Sequence, residues 1–166
     1  NKLGNNLEDL KIVINHDENI YINDTLLVND NLVLEVRKLG LPEITIHNLS
    51  SLESFDIEFE ENAYDVSLSN NFEITNDNFN YQYSSLTTPK SIINFNISNK
   101  ESENLLTKEV AGFDKSKYEL DRFFIRARDN EKIPVVTVAR KDTNLNNAPI
   151  LFYGYGSYGI NIDAQF

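Results

Sequence analysis

An internal repeat is the sequence feature that most constrains the fold of this chain. One copy follows Asn31 and the other follows Asn78, at a spacing of 47 residues. In each copy apolar residues alternate with polar ones, and the alternation ends at a proline, which is typical of a β-hairpin. The matching positions are Leu32, Leu34, Val36, Leu39 and Pro42 in the first copy, and Phe79, Tyr81, Tyr83, Leu86 and Pro89 in the second.

A repeat in the forties, built from short strands, has the length of one β-propeller blade. Such a blade is a four-stranded sheet that buries its two faces by packing on its neighbours. Polar runs over residues 48–53 and 96–101 end the two copies alike and predict tight turns. Two copies are too few to close a ring. Taken without any resemblance, the pattern also allows two unrelated hairpins in a β-sandwich.

Composition excludes several classes of function. The 166 residues carry a formal charge of −11, so a phosphate backbone is an unfavourable partner and we expect no nucleic-acid binding. An acidic surface favours basic peptides, although it also serves solubility alone. Without cysteine the chain has no disulfide and no thiolate metal site, and no apolar run reaches the length of a membrane span. We therefore expect a soluble, cytoplasmic protein that binds neither membrane nor cofactor.

Carboxylates cluster in one stretch, residues 58–65. They lack the alternating spacing and central glycine of a calcium-binding loop, so we predict a solvated loop and no metal site. The two histidines, His16 and His47, lie among Asn and Asp residues. We interpret each as a turn or strand-surface residue and not as a catalytic base.

The last third of the chain predicts a different arrangement of strands. Residues 122–128 and 133–139 read as a hairpin, and the apolar residues 150–153 read as a buried strand that runs into a glycine-rich loop. Strand ends of this kind carry the chemistry of α/β sheets. No long amphipathic helix is visible, so we expect a largely β protein.

Four ordered motifs carry a resemblance to a known family. They are Tyr83-Ser-Ser-Leu-Thr-Thr-Pro89, Glu109-Val-Ala-Gly-Phe113, Ala127-Arg-Asp-Asn-Glu-Lys-Ile-Pro134, and Tyr153-Gly-Tyr-Gly-Ser-Tyr-Gly159 with Ile162-Asp163 after it. Together they make roughly residues 20–166 resemble the prolyl oligopeptidase family of serine peptidases, and within it the oligopeptidase B branch.

The resemblance implies a mainly β arrangement in two parts. Residues 1–108 would form about two blades from the end of a β-propeller, residues 109–118 a linker, and residues 119–166 the first strands of an incomplete α/β-hydrolase domain. Members of the family are several times longer than 166 residues. The resemblance therefore implies a middle piece of an enzyme, whose nucleophile and triad match positions beyond Phe166.

The resemblance also assigns roles to three residues of the terminal loop. Tyr155 matches a tyrosine whose hydroxyl donates a hydrogen bond in the oxyanion hole. Tyr158 matches an aromatic side chain that lines the pocket for the residue before the scissile bond. Asp163 matches an acid near the substrate's basic residues, and a second acid of that kind is replaced by Gln165. From the residues alone, ordinary packing at a strand end is the favoured interpretation of Tyr155, and the alternative for Tyr158 is a surface aromatic that shields the loop.

Ser157 is not a nucleophile in this reading, because the nucleophile elbow needs glycine two positions before the serine and Tyr155 stands there. We expect the 166 residues alone to be inactive. The function implied by the resemblance is hydrolysis of short basic peptides after Arg or Lys, once the rest of the catalytic domain is supplied. The alternatives are a non-catalytic β-rich binding module that self-associates through open sheet edges, and a prolyl-specific peptidase.

Overall fold

The computed structural model describes residues 11–72 and 76–166, and in these residues ten strands and one short 3-10 turn form the regular structure. The expectation of a mainly β protein is confirmed. No helix in these two ranges is long and apolar enough to cross a membrane. The strands are β1 Ile20–Val28, β2 Asn31–Lys38, β3 Leu41–Asn48, β4 Ser54–Asp56, β5 Asp65–Leu68, β6 Asn78–Ser85, β7 Thr88–Asn96, β8 Glu101–Thr107, β9 Tyr118–Arg126 and β10 Lys132–Arg140.

The internal repeat appears as two sheets of the same design. Strands β1 to β4 pair in chain order as one antiparallel sheet, and β5 to β8 pair in the same way as a second. Strand β2 begins at Asn31 and β6 at Asn78, so the sequence spacing is also the structural spacing. Each repeat is thus one four-stranded meander, the unit that builds a propeller.

The two predicted tight turns are present and share one mechanism. The side-chain Oδ1 of Asn48 accepts hydrogen bonds from the backbone N–H groups of Ser50 and Ser51, at 3.0 and 2.7 Å. Asn96 accepts one in the same way from the N–H of Asn99, at 3.0 Å. An asparagine that bonds the backbone two or three residues ahead stabilises a turn directly, which fits the position of an asparagine at the start of each polar run.

The core lies between the two sheets. Val33 and Ile44 from the first sheet are fully buried, and Phe79 from the second is 1% exposed. The ring of Phe79 lies 5.7 Å from that of Phe95 and 6.2 Å from that of Tyr81, so an aromatic layer faces an aliphatic one. Neither sheet alone could bury these side chains, and their mutual burial is the main force that joins the repeats. The buried cluster comprises Val28, Val33, Ile44, Ile46, Ile57, Tyr64, Val66, Phe79, Tyr81, Phe95 and Ile97.

The predicted hairpin after the repeats is confirmed, with longer strands than expected. Strand β9 starts at Tyr118 and β10 ends at Arg140, and they form a separate two-stranded sheet. We call the sheet of β1 to β4 the first blade and the sheet of β5 to β8 the second blade. The two-stranded sheet contacts the first blade at the β2–β3 turn. The guanidinium of Arg122 donates a 2.6 Å hydrogen bond to the carbonyl of Leu39. Gly40, at φ +79°, passes so close to Pro134 that an added Cβ would lie 3.0 Å from its ring, so glycine is required there.

The prediction of a buried strand over residues 150–153 is wrong for this structure. These residues form no strand, and Leu151 is 94% exposed. A strand needs a neighbour to pair its backbone N–H and C=O groups, and within residues 11–72 and 76–166 no strand lies beside this stretch. The apolar composition of residues 150–153 therefore identified a segment suited to burial. It did not show whether another part of the chain covers that segment.

Candidate functional site

The glycine-rich loop that follows residues 150–153 folds into a tight turn at its far end. The backbone N–H of Ile160 donates to the carbonyl of Ser157 at 3.1 Å. Between them Tyr158 and Gly159 both have positive φ, +59° and +70°. Positive φ at both central positions defines a type I′ turn, which glycine tolerates and which an aromatic residue adopts only at some cost. This turn projects Tyr158 outward, and 94% of its surface is exposed.

Tyr155 precedes this turn and is half exposed. In the part of the chain that the structure describes, its hydroxyl takes part in no hydrogen bond, so the O–H group is available as a donor. A phenolic O–H can stabilise a developing oxyanion when it points at the reacting carbonyl. The arrangement is compatible with the predicted role of Tyr155, which stays a prediction, as does the pocket-lining role of Tyr158.

Asp163 lies in a different environment from the two tyrosines, because it is engaged by the first blade. Both terminal nitrogens of Arg37 donate to its carboxylate, Nη1 to Oδ1 at 2.7 Å and Nη2 to Oδ2 at 2.8 Å. The two side chains are only 15% and 16% exposed. This bidentate, charge-assisted geometry is the strong form of the Arg–carboxylate pair. Hydrogen bonding to Asp163 raises the pKa of Arg37 further above its ordinary value.

The residues after Asp163 are held on the second blade. Gln165 donates its Nε2 to Oδ2 of Asp65 at 2.9 Å, and the backbone N–H of Phe166 donates to the hydroxyl of Ser84 at 3.1 Å. The ring of Phe166 meets that of Phe113 edge-on, with centroids 4.7 Å apart. Residues 163–166, which we call the docked segment, therefore bind both blades, whereas residues 150–153 of the same stretch lie in solvent.

A second cluster lies where the acidic loop meets the β6–β7 turn, and it corrects the prediction of a wholly solvated loop. The carboxylate of Glu61 is 12% exposed and accepts hydrogen bonds from four hydroxyl groups. Three of these distances are 2.7 Å from Tyr83, 2.9 Å from Ser85 and 2.8 Å from Thr88. The fourth donor is the hydroxyl of Thr87. Glu61 thus organises the hydroxyl-rich motif that begins at Tyr83.

The same carboxylate also attracts the segment that leaves the repeats. Lys115, in the 3-10 turn Lys115–Lys117, lies 3.2 Å from Glu61 Oε1 and donates to the hydroxyl of Thr88 at 2.8 Å. Glu61 and Lys115 line an open cleft of about 430 Å³ between the second blade and the hairpin. Because Glu61 is already surrounded by donors, it suits an anchoring role better than the binding of a metal or substrate.

We expect the replacement Glu61→Gln to lower the free energy of unfolding at pH 7 by about 2 kcal/mol, because several hydrogen bonds to a charged acceptor are weakened at once. Burial by itself raises the pKa of Glu61, but the hydrogen bonds from Thr87, Tyr83, Thr88 and Ser85 outweigh it and lower this pKa from 4.5 to about 2. The stabilisation is therefore complete above pH 4.5 and is lost as the pH falls towards 2.

The measurement is urea unfolding from pH 7 down to pH 2.5, with Glu60→Gln as the control. Glu60 is the exposed neighbour of Glu61, and its replacement should change stability by less than about 0.5 kcal/mol. Between pH 5 and pH 2.5 the stability of the wild-type chain should fall more steeply than that of Glu61→Gln. Parallel curves, or equal losses in the two variants, would contradict the assignment.

No serine–histidine pair is formed by the residues that the structure describes. Ser157 uses its backbone carbonyl to close the type I′ turn, and no hydrogen bond joins a serine hydroxyl to either histidine. His47 lies half-buried in β3 and His16 is exposed in a loop before β1, as their interpretation as strand-surface and turn residues requires.

Sequence reasoning missed Arg37 and Glu61 as the residues that anchor the docked segment and the 3-10 turn. Arg37 had one available signal, since it is a cation that directly follows the buried apolar residues of β2. Glu61 had a weaker one, because the stretch of hydroxyl residues from Tyr83 to Thr88 needs an acceptor that the hairpin itself does not contain. Neither signal identifies its partner, which lies 126 residues away for Arg37.

Comparison with known proteins places these features in a family. The sequence pattern described as "Prolyl oligopeptidase, N-terminal beta-propeller domain" matches residues 3–108. The chain is 33% identical over 161 residues to dipeptidyl aminopeptidase BI of Pseudoxanthomonas mexicana, covering 96% of this chain and 22% of that protein. It is 29% identical over 164 residues to protease 2 of Moraxella lacunata, covering 98% and 24%.

Similarity extends to solved structures. Oligopeptidase B from Leishmania major superimposes with a TM-score of 0.82 at 29% identity, over 93% of this chain and 23% of that one. The chain thus spans less than a quarter of the length of each of these three relatives. Two repeated four-stranded meanders with a shared core, together with the match over residues 3–108, show that this chain belongs to the prolyl oligopeptidase family and contains part of its β-propeller domain.

Proposed function

We propose that this chain is the part of a serine oligopeptidase in which the propeller ends and the α/β-hydrolase domain begins, and that the complete enzyme cleaves short peptides after Arg or Lys. Membership of the prolyl oligopeptidase family carries the proposal. The similarity to protease 2 and to oligopeptidase B favours the oligopeptidase B branch over a prolyl-specific enzyme.

The proposed division of the chain follows the sequence analysis. Residues 1–108 would contribute about two blades, residues 109–118 a linker, and residues 119–166 the hairpin and loop that open the catalytic domain. The contact of Lys115 with Glu61 supports a linker that is fastened to the second blade. Nucleophile, acid and base would come from the rest of the catalytic domain, so the 166 residues alone would bind this domain and catalyse nothing. The complete enzyme would work in the cytoplasm.

Tyr155 is the residue of this chain that takes part in the chemical step of the proposed reaction. When a serine attacks the scissile carbonyl, the carbonyl oxygen gains negative charge, and the hydroxyl of Tyr155 donates a hydrogen bond to it. Tyr158 provides an aromatic wall for the residue before the scissile bond, and Asp163 offers a carboxylate to a basic side chain of the peptide. The acidic balance of the chain favours positively charged peptides over acidic ones.

A non-catalytic binding module is the second candidate, and the exposed apolar stretch favours it. Ile150, Leu151 and Phe152 are each more than four-fifths exposed, a surface that requires a partner. In the first proposal this partner is the remaining catalytic domain. In the second it is another copy of the chain or a different protein.

One assay separates the two candidates. The purified 166-residue chain and the complete product of its gene are each given a fluorogenic, N-terminally blocked Arg-Arg amide, with and without a serine-directed inhibitor. We expect inhibitor-sensitive hydrolysis by the complete protein only, because only there would oxyanion donor and nucleophile meet. Absence of hydrolysis in both would favour the binding module, and turnover by the 166 residues alone would place a nucleophile within this chain.

A further inference from the structure

The carboxylate of Asp163 already holds a guanidinium, and that guanidinium belongs to the propeller. Arg37 contacts both oxygens of Asp163, at 2.7 and 2.8 Å. A peptide arginine would offer Asp163 the same planar pair of donors. Because a carboxylate holds only one guanidinium in this bidentate geometry, a basic peptide and Arg37 would compete for Asp163.

Arg37 has one further hydrogen bond that does not involve Asp163. It lies near the end of β2, and its Nη1 also donates to the carbonyl of Gly40 in the following turn at 3.1 Å. Its Nε is buried without a hydrogen-bond partner among the residues described, so the guanidinium is incompletely satisfied. A buried donor without a partner costs free energy, so this pair is less stable than one in which every donor is bonded.

The charges around the pair leave room for a second cation. Asp65 is half-buried nearby and, like Asp163, belongs to the contacts of the docked segment. Burial raises the pKa of Asp65, and the charge of Asp163 raises it further, against the hydrogen bond from Gln165 and the charges of Arg37 and Lys90. Glu35 adds a further carboxylate on the same strand as Arg37. Carboxylates thus outnumber cations at this junction.

We infer that Arg37 is a specificity-determining residue that masks Asp163, so that a peptide with a basic residue must displace the propeller's own guanidinium to reach this carboxylate. The inference rests on the proposed function, since it requires Asp163 to meet substrate. It explains how the charge of Asp163 is balanced, by Arg37, while the docked segment lies on the blades. Arg37 touches neither scissile bond nor nucleophile in this scheme and acts only through Asp163.

The test uses the complete gene product and two amide substrates with one leaving group, Arg-Arg and Ala-Arg. Replacing Arg37 by Met should lower KM for the Arg-Arg amide about 5- to 10-fold, while kcat and the KM for the Ala-Arg amide stay nearly unchanged. In an Asp163→Asn background the same replacement should have no effect on either substrate. Arg37→Lys keeps the charge without the bidentate pair of donors, so its KM for the Arg-Arg amide should lie between those of the wild type and the Met variant. It replaces the Met variant in the test if that variant folds poorly.

Arg140→Met is the matched control, because Arg140 forms an ion pair with Asp142 in which both side chains are more than half exposed. It should leave both KM values unchanged. Equal changes for the two substrates, an unchanged KM for Arg-Arg, or an effect that persists in Asp163→Asn would each overturn the role of Arg37. Hydrolysis of both substrates without an Arg37 effect refutes this inference alone, whereas no hydrolysis of either by the wild-type protein refutes the proposed function as well.

Discussion

Replacing Tyr155 by Phe in the complete gene product is expected to lower kcat about 100- to 1,000-fold, with KM changed little. Loss of one oxyanion donor removes roughly 3 to 4 kcal/mol of stabilisation that exists only in the transition state. The substitution keeps the aromatic ring and deletes one oxygen atom. Packing of the half-exposed side chain should therefore be unaffected, and the loss should fall on the chemical step. Steady-state kinetics with the Arg-Arg amide measure it.

Tyr153→Phe provides the control for this prediction. Tyr153 lies two residues earlier, is 76% exposed and has no role in the proposed reaction, so the same deletion there should change kcat less than about threefold. A Tyr155→Phe enzyme that keeps its kcat would exclude the hydroxyl as an oxyanion donor. A variant in which KM rises while kcat is unchanged would assign Tyr155 to substrate binding.

Replacing Phe79 by Ala is expected to lower the free energy of unfolding by about 4 kcal/mol, which could abolish folding of a marginally stable β protein. Phe79 is 1% exposed and lies in β6, at the centre of the core that both sheets share. Its ring contacts Phe95 on the neighbouring strand, and the cavity left by alanine would be lined by residues of two different sheets. Because backbone hydrogen bonds hold the strands of both sheets in place, the cavity could collapse only in part.

Urea unfolding followed by circular dichroism measures this loss, with Phe72→Ala as the matched control. Phe72 lies in the loop between β5 and β6 of the same sheet and is 91% exposed, so the identical change there should cost less than about 0.5 kcal/mol. Similar losses in the two variants would mean that the interface between the sheets does not stabilise the chain. A Phe79→Ala loss below about 1 kcal/mol would lead to the same conclusion.

Local sequence signals predicted much of the fold because the elements concerned depend on neighbours along the chain. Period-two alternation placed the β2–β3 hairpin, and the asparagines at 48 and 96 placed two turns whose hydrogen bonds span two or three residues. The hairpin of β9 and β10 was found for the same reason, although its ends were misplaced by up to four residues. In each case the stabilising partner is close in sequence.

The predictions that failed depended on partners far away in sequence. The apolar residues 150–153 have the composition of a buried strand, but burial requires a neighbouring surface that composition cannot provide. Glu61 belongs to a polar loop by sequence, and it is sequestered because a hydroxyl-rich turn more than twenty residues later folds over it. A local pattern cannot distinguish a solvated carboxylate from one whose donors arrive through the tertiary fold.

By itself the sequence determined the two repeats, their strands and turns, and the family to which the chain belongs, because alternation, spacing and motifs are properties of short stretches. Only the tertiary structure decided that Asp163 is paired with Arg37 and that Glu61 is paired with Lys115. Both contacts join residues from different structural units. Their energies depend on distance and desolvation, quantities that exist only once the chain has brought distant charges together in a poorly solvated place.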